Sequence, residues 1–406
     1  MRRDRGQYFI LVTVFLDVFG GSIVIPVLPS LVGMLSSSVE SKVQWIGVLA
    51  ASYALMQFLF SPFLGILSDK YGRRPILLIS TLILAITELL HAVASSVLLL
   101  LLCRILSGMT GATMSVANAY TADSTIPSQR SVAFGRIGAA AGVGFILGPM
   151  LGGILGGIDI RFPFYIAAIL SFLNFIYGWF VLPRMKPVNP TATLSLTNVS
   201  PFHAIRDLVR ISGDIAGLVY IIGLNVLAQV MLQSIWVAYT QFKFGWQPEA
   251  NGMMLLFMGV FGFVISGFLM SKLQNYFGIK TLAMLGLISS AIAFLMYGLS
   301  DNGIELYFIA TFTCLSAVSM PVLMGALSSK VHPDRQGTVM GTVASINSLA
   351  MIIAPLIATT TFSFVTDFSP SDWRVGMTFY MCFAIQIIVI IWAIRYFFGN
   401  KESMNI

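Results

Sequence analysis

Two acidic residues and one arginine lie inside long apolar stretches of this sequence, where a charge is costly. Asp17 and Glu88 are the only two of the 16 acidic residues that lie deep in such stretches, and Arg104 lies in another. An ionisable group at the centre of a membrane costs about 2.5–3.5 kcal/mol on insertion scales, so such groups are functional candidates. A carboxyl in this setting can bind a proton from one side and release it to the other. We therefore predict a role in proton coupling for all three residues.

A fixed ion pair between Arg104 and either carboxyl, which would only hold helices together, is the competing interpretation. Asp17 lies three residues before a Gly-Gly pair, where the backbone can bend and admit water, whereas Glu88 has apolar neighbours. Asp17 is therefore expected to be the main coupling acid. His91, one turn after Glu88, is expected to be a hydrogen-bonded packing residue.

A polar stripe in a later apolar stretch predicts a substrate cavity. Its four residues are spaced 4, 4 and 3 apart, which places them on one face of a helix. Hydrogen bonding between helices is the alternative, because a polar face in a membrane must contact protein or water. With two isolated asparagines of the same kind, the candidate cavity residues are Asn118, Asn225, Gln229, Gln233, Trp236 and Asn347.

The elements that must position these residues are membrane-spanning helices. The chain is 57% hydrophobic and only 10% charged, whereas soluble proteins have about 25% charged residues. The apolar residues come in blocks of about 20, the length of a spanning helix and too long for a barrel strand. Lipid offers no hydrogen-bond partner to the backbone, so only helices and closed barrels can span it. The predicted fold class is therefore an all-α membrane protein.

Twelve spans can be placed on the sequence. The first is expected to be a retained helix rather than a cleaved signal peptide, because the run from Phe9 to Met34 contains Asp17 and lacks a cleavage site. The three cysteines fall inside apolar blocks and predict neither a disulfide framework nor a metal site. The spans centre near Val18, Ala54, Ala85, Gly111, Phe145, Phe172, Val226, Val260, Ile288, Ser316, Ile352 and Ile388.

The positive charges predict the orientation in the membrane. With the N-terminus in the cytoplasm, 18 of the 23 lysines and arginines fall in cytoplasmic segments. Cytoplasmic loops carry such an excess in membrane proteins. Both termini are therefore expected to be cytoplasmic, and the net charge of +7 needs no nucleic-acid partner.

The chain is expected to consist of two related six-helix bundles. A proline-containing polar stretch at 183–214 reads as a cytoplasmic linker between bundles at 1–182 and 215–406. Three pairs of residues share one offset of 206 positions, which indicates an internal parallel repeat. These pairs are Pro127 with Pro333, Gly135 with Gly341 and Pro149 with Pro355.

The loop after the second span carries a complete motif. It reads GILSDKYGRR, which resembles the major facilitator superfamily signature G-x-x-x-D-[RK]-x-G-R-[RK] at each fixed position. The resemblance implies twelve helices in two six-helix halves and a latch that joins the halves on the cytoplasmic side. Gly65 and Gly72 are expected to permit close helix approach and a tight turn. The residues matched are Gly65, Asp69, Lys70, Gly72, Arg73 and Arg74.

Two further motifs narrow the resemblance. The fourth span reads RILSGMTGA, and the fifth reads GVGFILGPMLGG, in which glycines repeat every four residues and favour close packing. Both are similar to motifs of twelve-span drug:proton antiporters, and the surrounding sequence looks closest to tetracycline efflux proteins. The sequence departs from those exporters in the ninth span, where Ser289 and Ser290 stand in place of an acid. The antiporter motif comprises Gly144, Gly148, Pro149, Gly152 and Gly153.

The resemblance implies a proton-coupled antiporter that exports amphipathic small molecules from a bacterium through its inner (plasma) membrane and works as a monomer. We expect no cofactor and no ATP-driven step, because the sequence has no G-x-x-x-x-G-K-[ST] loop. We also expect no enzymatic activity, since no nucleophile–base constellation is present. Three alternatives stay open: an exporter of a native metabolite or siderophore, a nutrient symporter, and a non-transporting membrane receptor.

Overall fold

The structure is a computed structural model that describes residues 2–111, 113–125, 130–182, 214–331 and 336–398. All regular secondary structure in these ranges is helical, which confirms the predicted fold class. The α-helices are α1 (Arg2–Ile23), α2 (Leu28–Leu35), α3 (Val39–Tyr71), α4 (Arg73–Ala92), α5 (Val97–Thr110), α6 (Thr113–Ser124), α7 (Arg130–Ile158), α8 (Phe162–Val181), α9 (Asp214–Phe244), α10 (Pro248–Val264), α11 (Met270–Leu299), α12 (Gly303–Phe312), α13 (Ser319–Lys330), α14 (Gln336–Ser363) and α15 (Met377–Phe398).

The helices are consistent with twelve membrane spans. Eight helical stretches in the described ranges are long and apolar enough to cross a membrane, or ten if each of two bent pairs counts as one span. One stretch, Pro248–Leu299, has 52 residues and would extend about 78 Å as a single helix, against a hydrocarbon core of about 30 Å. It is interrupted by a π-helical turn at Ile265–Leu269 and by Gly278, whose φ is 73°. Two spans therefore fit within it.

Contacts divide the chain into two units. The first comprises Met1–Ser38, Val48–Pro201 and Gln247–Leu256, and the second comprises Val39–Gly47, Phe202–Trp246 and Phe257–Ile406. Each unit therefore includes a short segment from the other half of the sequence. The domain boundaries drawn from the sequence stay a prediction. The linker predicted at 183–214 lies outside the described residues except for its last position.

In the first unit, α1 packs against α7 and α8, while α4 packs against α5, α6 and α8. The start of α10, which belongs to this unit, lies against α7. A Cβ on Gly153 of α7 would be 2.9 Å from the Cα of Gly252 on α10. The apolar core of this unit includes Phe9, Leu77 and Tyr120, each almost fully buried. This packing brings the embedded polar residues of α1, α3, α4 and α5 into one unit.

In the second unit, α9 packs against α13, α14 and α15, and α11 packs against α13 and α15. The core includes Ile222 of α9, Leu287 of α11 and Val389 of α15, all with at most 1% exposure. The start of α3, Val39–Gly47, belongs to this unit and lies against α14. The contact is close, since a Cβ on Gly47 would overlap the Thr359 hydroxyl. Lys42 also donates a hydrogen bond to the Gln241 side chain of α9, 2.9 Å away.

Candidate functional site

Asp17 lies half-buried on α1, and the hydroxyl of Thr113 on α6 is its polar neighbour. No described atom lies within 4 Å of the place where a Cβ would be on Gly20 or Gly21, one turn further along α1. The helix therefore has open space beside the carboxyl, as its glycine pair predicts. Glu88 of α4 lies within electrostatic range of Asp17.

Tyr53 of α3 lies near three charged residues of the first unit. Its hydroxyl lies within electrostatic range of Asp17, Glu88 and Arg104. The guanidinium carbon of Arg104 is 6.0 Å from the centre of the Tyr53 ring, at the outer limit of a cation–π contact. All three residues that the sequence predicts for proton coupling therefore lie near Tyr53.

Glycine in the fourth span sets the position of Arg104. A Cβ on Gly108 would lie 2.5 Å from the carbonyl oxygen of Tyr53 and 2.8 Å from the Cβ of Met56, so only glycine allows this approach of α5 to α3. At the end of α5, Gln57 donates a hydrogen bond to the carbonyl of Gly111 at 2.7 Å. The R-x-x-x-G pattern thus places the arginine one turn before the helix contact.

The described residues contain no ion pair between Arg104 and Asp17 or Glu88. The Nε of Arg104 is buried without a hydrogen-bond partner there, and so is the Oε2 of Glu88. The competing interpretation, a fixed structural ion pair, is therefore wrong for this structure. The expectation of a hydrogen-bonded His91 is also wrong, since neither ring nitrogen has a hydrogen-bond partner in the described ranges. Neither carboxyl is therefore neutralised by a fixed ion pair with Arg104, which leaves both carboxyls able to change protonation.

The loop between α3 and α4 contains the predicted latch motif. Arg73 is buried and forms an ion pair with Asp69 and a hydrogen bond with Ser68. Arg74 donates to the carbonyl oxygen of Trp179 on α8 at 2.6 Å. Gly72 has a φ of 94°, a conformation that favours glycine and permits the tight turn.

Two other latch positions differ in their surroundings. The Lys70 ammonium lies 5.7 Å from the Tyr71 ring centre. No described atom lies within 4 Å of a Cβ built on Gly65. The close helix approach expected at Gly65 is therefore absent from the described structure, because the neighbouring helices pack elsewhere along α3.

Replacing Asp69 with asparagine is expected to reduce transport about tenfold or more, because hydrogen bonds to charged groups contribute about 1.5–3 kcal/mol and the buried Arg73 loses its anion. Expression and membrane insertion should stay nearly unchanged. Transport rates normalised to the amount of inserted protein provide the measurement. Asp367→Asn is the matched control, since it makes the same change at an exposed acid outside the latch motif. Equal rates in Asp69→Asn and the wild type would show that the loop only directs topology.

The glycines of the fifth-span motif pack α7 against α1. A Cβ on Gly144 would lie 2.7 Å from the carbonyl oxygen of Phe15, and one on Gly148 would overlap Ser22. Ser22 also donates a hydrogen bond to the Gly144 carbonyl at 3.1 Å. Pro149 lies inside α7 and removes one backbone donor. The predicted smooth face is thus confirmed, and its partner is the helix that carries Asp17.

The polar stripe of the seventh span lies on α9, but its members have different environments. Asn225 is buried and accepts a hydrogen bond from Gln386 of α15 at 3.1 Å, the interhelical contact considered as an alternative. Gln386 also donates to the carbonyl of Leu287 at 3.3 Å. Gln229 is half-buried and donates to the hydroxyl of Ser290 at 3.4 Å. Uncharged groups therefore occupy this part of the ninth span, around Ser290.

The other predicted cavity residues also differ in exposure. Trp236 is 2% exposed and packs edge-on against Tyr297, with 5.1 Å between ring centres. Gln233 is exposed, whereas Asn118 and Asn347 are half-buried. A substrate-binding role stays a prediction for these residues, and Gln229 and Gln233 have the most accessible side chains of the α9 stripe.

Tyr53, Gln57 and Thr113 were not predicted from the sequence. Tyr53 and Thr113 lie near the predicted charged residues, and Gln57 bonds the end of the helix that carries Arg104. Tyr53 and Gln57 are four residues apart in an apolar span, which places them on one helical face. That spacing is the signal that could have identified them, and it is the same signal used for the stripe on α9.

Comparison with known proteins identifies the family. The model of the Major Facilitator Superfamily matches residues 10–355 and 218–404. The chain therefore belongs to the Major Facilitator Superfamily. It is a multi-pass membrane transporter of small molecules and not an enzyme.

Its relatives include efflux proteins. The chain is 33% identical to the class C tetracycline resistance protein of Escherichia coli, covering 94% of this chain and 96% of the relative. It is 34% identical to the class H tetracycline resistance protein of Pasteurella multocida, with 98% of each covered. Identity to Multidrug resistance protein 2 of Bacillus subtilis (strain 168) is 28%, with 86% of each chain covered.

Solved structures share the fold. The nucleoside transporter NupG matches with a TM-score of 0.77 at 13% identity, covering 97% of this chain and 99% of that one. The human organic anion transporter MFSD10 (TETRAN) matches with a TM-score of 0.67 at 22% identity, covering 95% and 99%. These matches support the major facilitator fold and carry no information about substrate.

Proposed function

We propose that this protein is a proton-coupled antiporter that exports amphipathic small molecules, including drugs. The observation that carries the proposal is that Asp17, Glu88 and Arg104, on three helices of the first unit, all lie near Tyr53 and that Arg104 forms no ion pair with either carboxyl in the described residues. Full-length similarity to tetracycline and multidrug resistance proteins supports the direction of transport and the class of substrate. Inward proton movement supplies about 2.3 kcal/mol per charge for each 100 mV, in addition to the pH gradient.

The proposal includes a location and an orientation. The relatives named above are bacterial, which supports the inner (plasma) membrane of a bacterium. The excess of lysine and arginine in alternate loops supports cytoplasmic termini. The protein would act as a monomer on protons and one small-molecule substrate, without a bound cofactor or a nucleic-acid partner.

Expression of the protein is expected to lower the accumulation of at least one amphipathic drug in cells, and an uncoupler should restore it. The test uses a tetracycline, a quinolone and a fluorescent cationic dye as separate probes. Everted membrane vesicles given a pH gradient, without ATP, should accumulate the same compound. The control is the same cells carrying the empty vector.

Two outcomes would contradict this function. Unchanged accumulation of every probe, with the protein correctly inserted, would argue for export of a native metabolite. Efflux that persists with an uncoupler in membranes supplied with ATP would argue against proton coupling.

A further inference from the structure

The last turns of α4 bury an acid and a histidine side by side. Glu88 and His91 have side-chain exposures of 4% and 0%, and the Oε2 of Glu88 is 3.6 Å from the Nδ1 of His91. This separation is just beyond a hydrogen bond. Within the described residues, the Oε2 of Glu88 and both ring nitrogens of His91 have no hydrogen-bond partner. Three buried polar atoms on neighbouring side chains therefore lack a hydrogen-bond partner.

Such an arrangement is unusual because buried polar groups are almost always hydrogen-bonded. Packing alone does not require the nitrogens. The imidazole stacks on the ring of Phe164 at 5.6 Å between centres and 27° between planes, a contact that a phenylalanine could make equally well. The neighbouring hydroxyls are already used, since Ser107 donates to Thr87 at 3.0 Å and Thr87 donates to the carbonyl of Leu84. The unsatisfied atoms therefore point to a group that enters and leaves this space.

The smallest such group is a proton. One proton placed between Nδ1 and Oε2 gives both atoms a partner, and a small rotation of either side chain brings them within hydrogen-bond distance. Catalytic hydrogen bonds are often long in resting structures and shorten only when the group acts. The two atoms are thus positioned to exchange a proton directly.

We propose that Glu88 and His91 share one exchangeable proton, and that Glu88 gains and loses it through His91. In the loaded pair, the proton moves from Nδ1 to Oε2, which converts imidazolium and carboxylate into neutral imidazole and carboxylic acid without changing the net charge. Loss of the proton leaves a neutral imidazole and a carboxylate. This inference rests on the proposed proton-coupled function and adds a second proton site beside Asp17.

The pair and Asp17 lie on different helices, α4 and α1, although Glu88 is close enough to Asp17 to interact with it electrostatically. The end of α4 beyond His91 is held by Arg161, whose two Nη atoms donate to the carbonyls of Ala92 and Ala94 at 2.7 and 2.9 Å. The described titratable or charged residues near the pair, or on the elements packed against α4, are Asp17, Tyr53, Cys103, Arg104, Tyr120, Arg161, Tyr165 and Tyr177.

The first experiment is a double-mutant cycle on proton release. Purified protein in lipid nanodiscs receives a transported drug, and released protons are counted with a pH dye for the wild type, His91→Phe, Glu88→Gln and the double variant. His91→Phe keeps a ring for the stack on Phe164 and removes both nitrogens. We expect each single variant to lose the same part of the proton release and the double variant to lose no more, because both remove one proton. Additive losses, or unchanged release from His91→Phe, would overturn the proposal.

The second readout separates this inference from the proposed function. The nitrogen resonances of ¹⁵N-histidine-labelled protein are followed against pH without any substrate, and the His91 signals are assigned by their loss in His91→Phe. We expect these signals to titrate in the wild type and their midpoint to change in Glu88→Gln. An unchanged midpoint would overturn the shared proton even if transport is proton-coupled. If the wild type releases no proton with any drug, the proposed function fails. The titration still tests whether Glu88 and His91 share a proton.

Transport supplies a third readout that a packing role would not change. Uptake driven by a pH gradient should fall about tenfold or more in His91→Phe at the optimum pH of the wild type, since positioned proton-transfer groups contribute about 10²–10⁴-fold to rates. Downhill exchange of the drug should stay near the wild-type rate. An equal loss of both activities would indicate structural damage and contradict the relay.

Discussion

Replacement of Asp17 by asparagine is expected to abolish uphill, proton-driven efflux, with a loss of about 100-fold or more, since proton-transfer groups contribute at least that much. The fold should survive, because asparagine has the size of aspartate and is polar like the neighbouring Thr113 hydroxyl. The substitution removes the proton-binding oxygen from the helix that has open space at Gly20 and Gly21. Proton coupling should therefore fail while substrate binding remains.

The large loss of transport expected for Asp17→Asn follows from the lack of an acid in the ninth span, which belongs to the second unit. Ser289 and Ser290 occupy the ninth-span position where the resemblance leads one to expect an acid, and Ser290 is engaged with Gln229. A serine hydroxyl does not take up and release protons near neutral pH. Proton binding must then rest largely on the acids of the first unit, and the loss of one cannot be replaced by the other half of the chain.

The measurement is drug uptake into everted vesicles under an imposed pH gradient, with downhill exchange of the same drug as the companion assay. Asp367→Asn is the control, because Asp367 is an exposed carboxylate between α14 and α15 in the second unit. Glu88→Gln should mainly alter the pH optimum or the range of substrates, and at the optimum pH of the wild type its uptake should fall as much as that of His91→Phe. If Asp17→Asn releases protons as the wild type does and Glu88→Gln releases none, the roles are reversed. Normal release from both would place the coupling site elsewhere.

Replacement of Gly152 by alanine is expected to destabilise the first unit by about 1–3 kcal/mol, the usual effect of overpacking. A Cβ at this position would overlap the carbonyl oxygen of Ile23, the last residue of α1. A backbone atom cannot rotate away as a side chain can, so α1 and α7 must separate. Since α1 carries Asp17, the displacement should also reduce transport.

Gly142→Ala is the matched control on the same helix. No described atom lies within 4 Å of a Cβ at Gly142, so this change adds the same methyl group without a clash. Alanine is favoured over glycine in a helix by about 1 kcal/mol, and the control should be neutral or slightly stabilising. Thermal unfolding of both purified variants in the same lipid checks the prediction. Equal midpoints for the two variants would show that the contact between α1 and α7 is not close in the working protein.

Several features were determined by the sequence alone. The hydrocarbon interior of a bilayer is apolar, so the length and hydrophobicity of each stretch are enough to predict spanning helices. For the same reason, Asp17, Glu88 and Arg104 could be identified as unusual without knowledge of their neighbours. The repeated glycines of the fifth span predicted a close helix contact, since only the absence of side chains is needed for that inference.

The partners of these residues were decided only by the tertiary structure. Helical spacing shows which residues share a face but not which helix that face meets, because lipid and protein favour the same apolar side chains. The glycines of α7 meet α1, whereas Gly65 has open space around it. Asn225 is used in a hydrogen bond to Gln386, 161 positions away, although its spacing matched the rest of the stripe.

The charged cluster shows the same division. Its members could be named from the sequence, but an ion pair with Arg104 and a hydrogen-bonded His91 were equally compatible with the order of residues. The close approach of α5 to α3 at Gly108 places Arg104 over Tyr53, and the stack on Phe164 holds His91 beside Glu88. Whether a hydrogen bond or an ion pair forms depends on differences of a few tenths of an ångström in the distance between two atoms. Such distances arise only when all the helices of a unit have packed together.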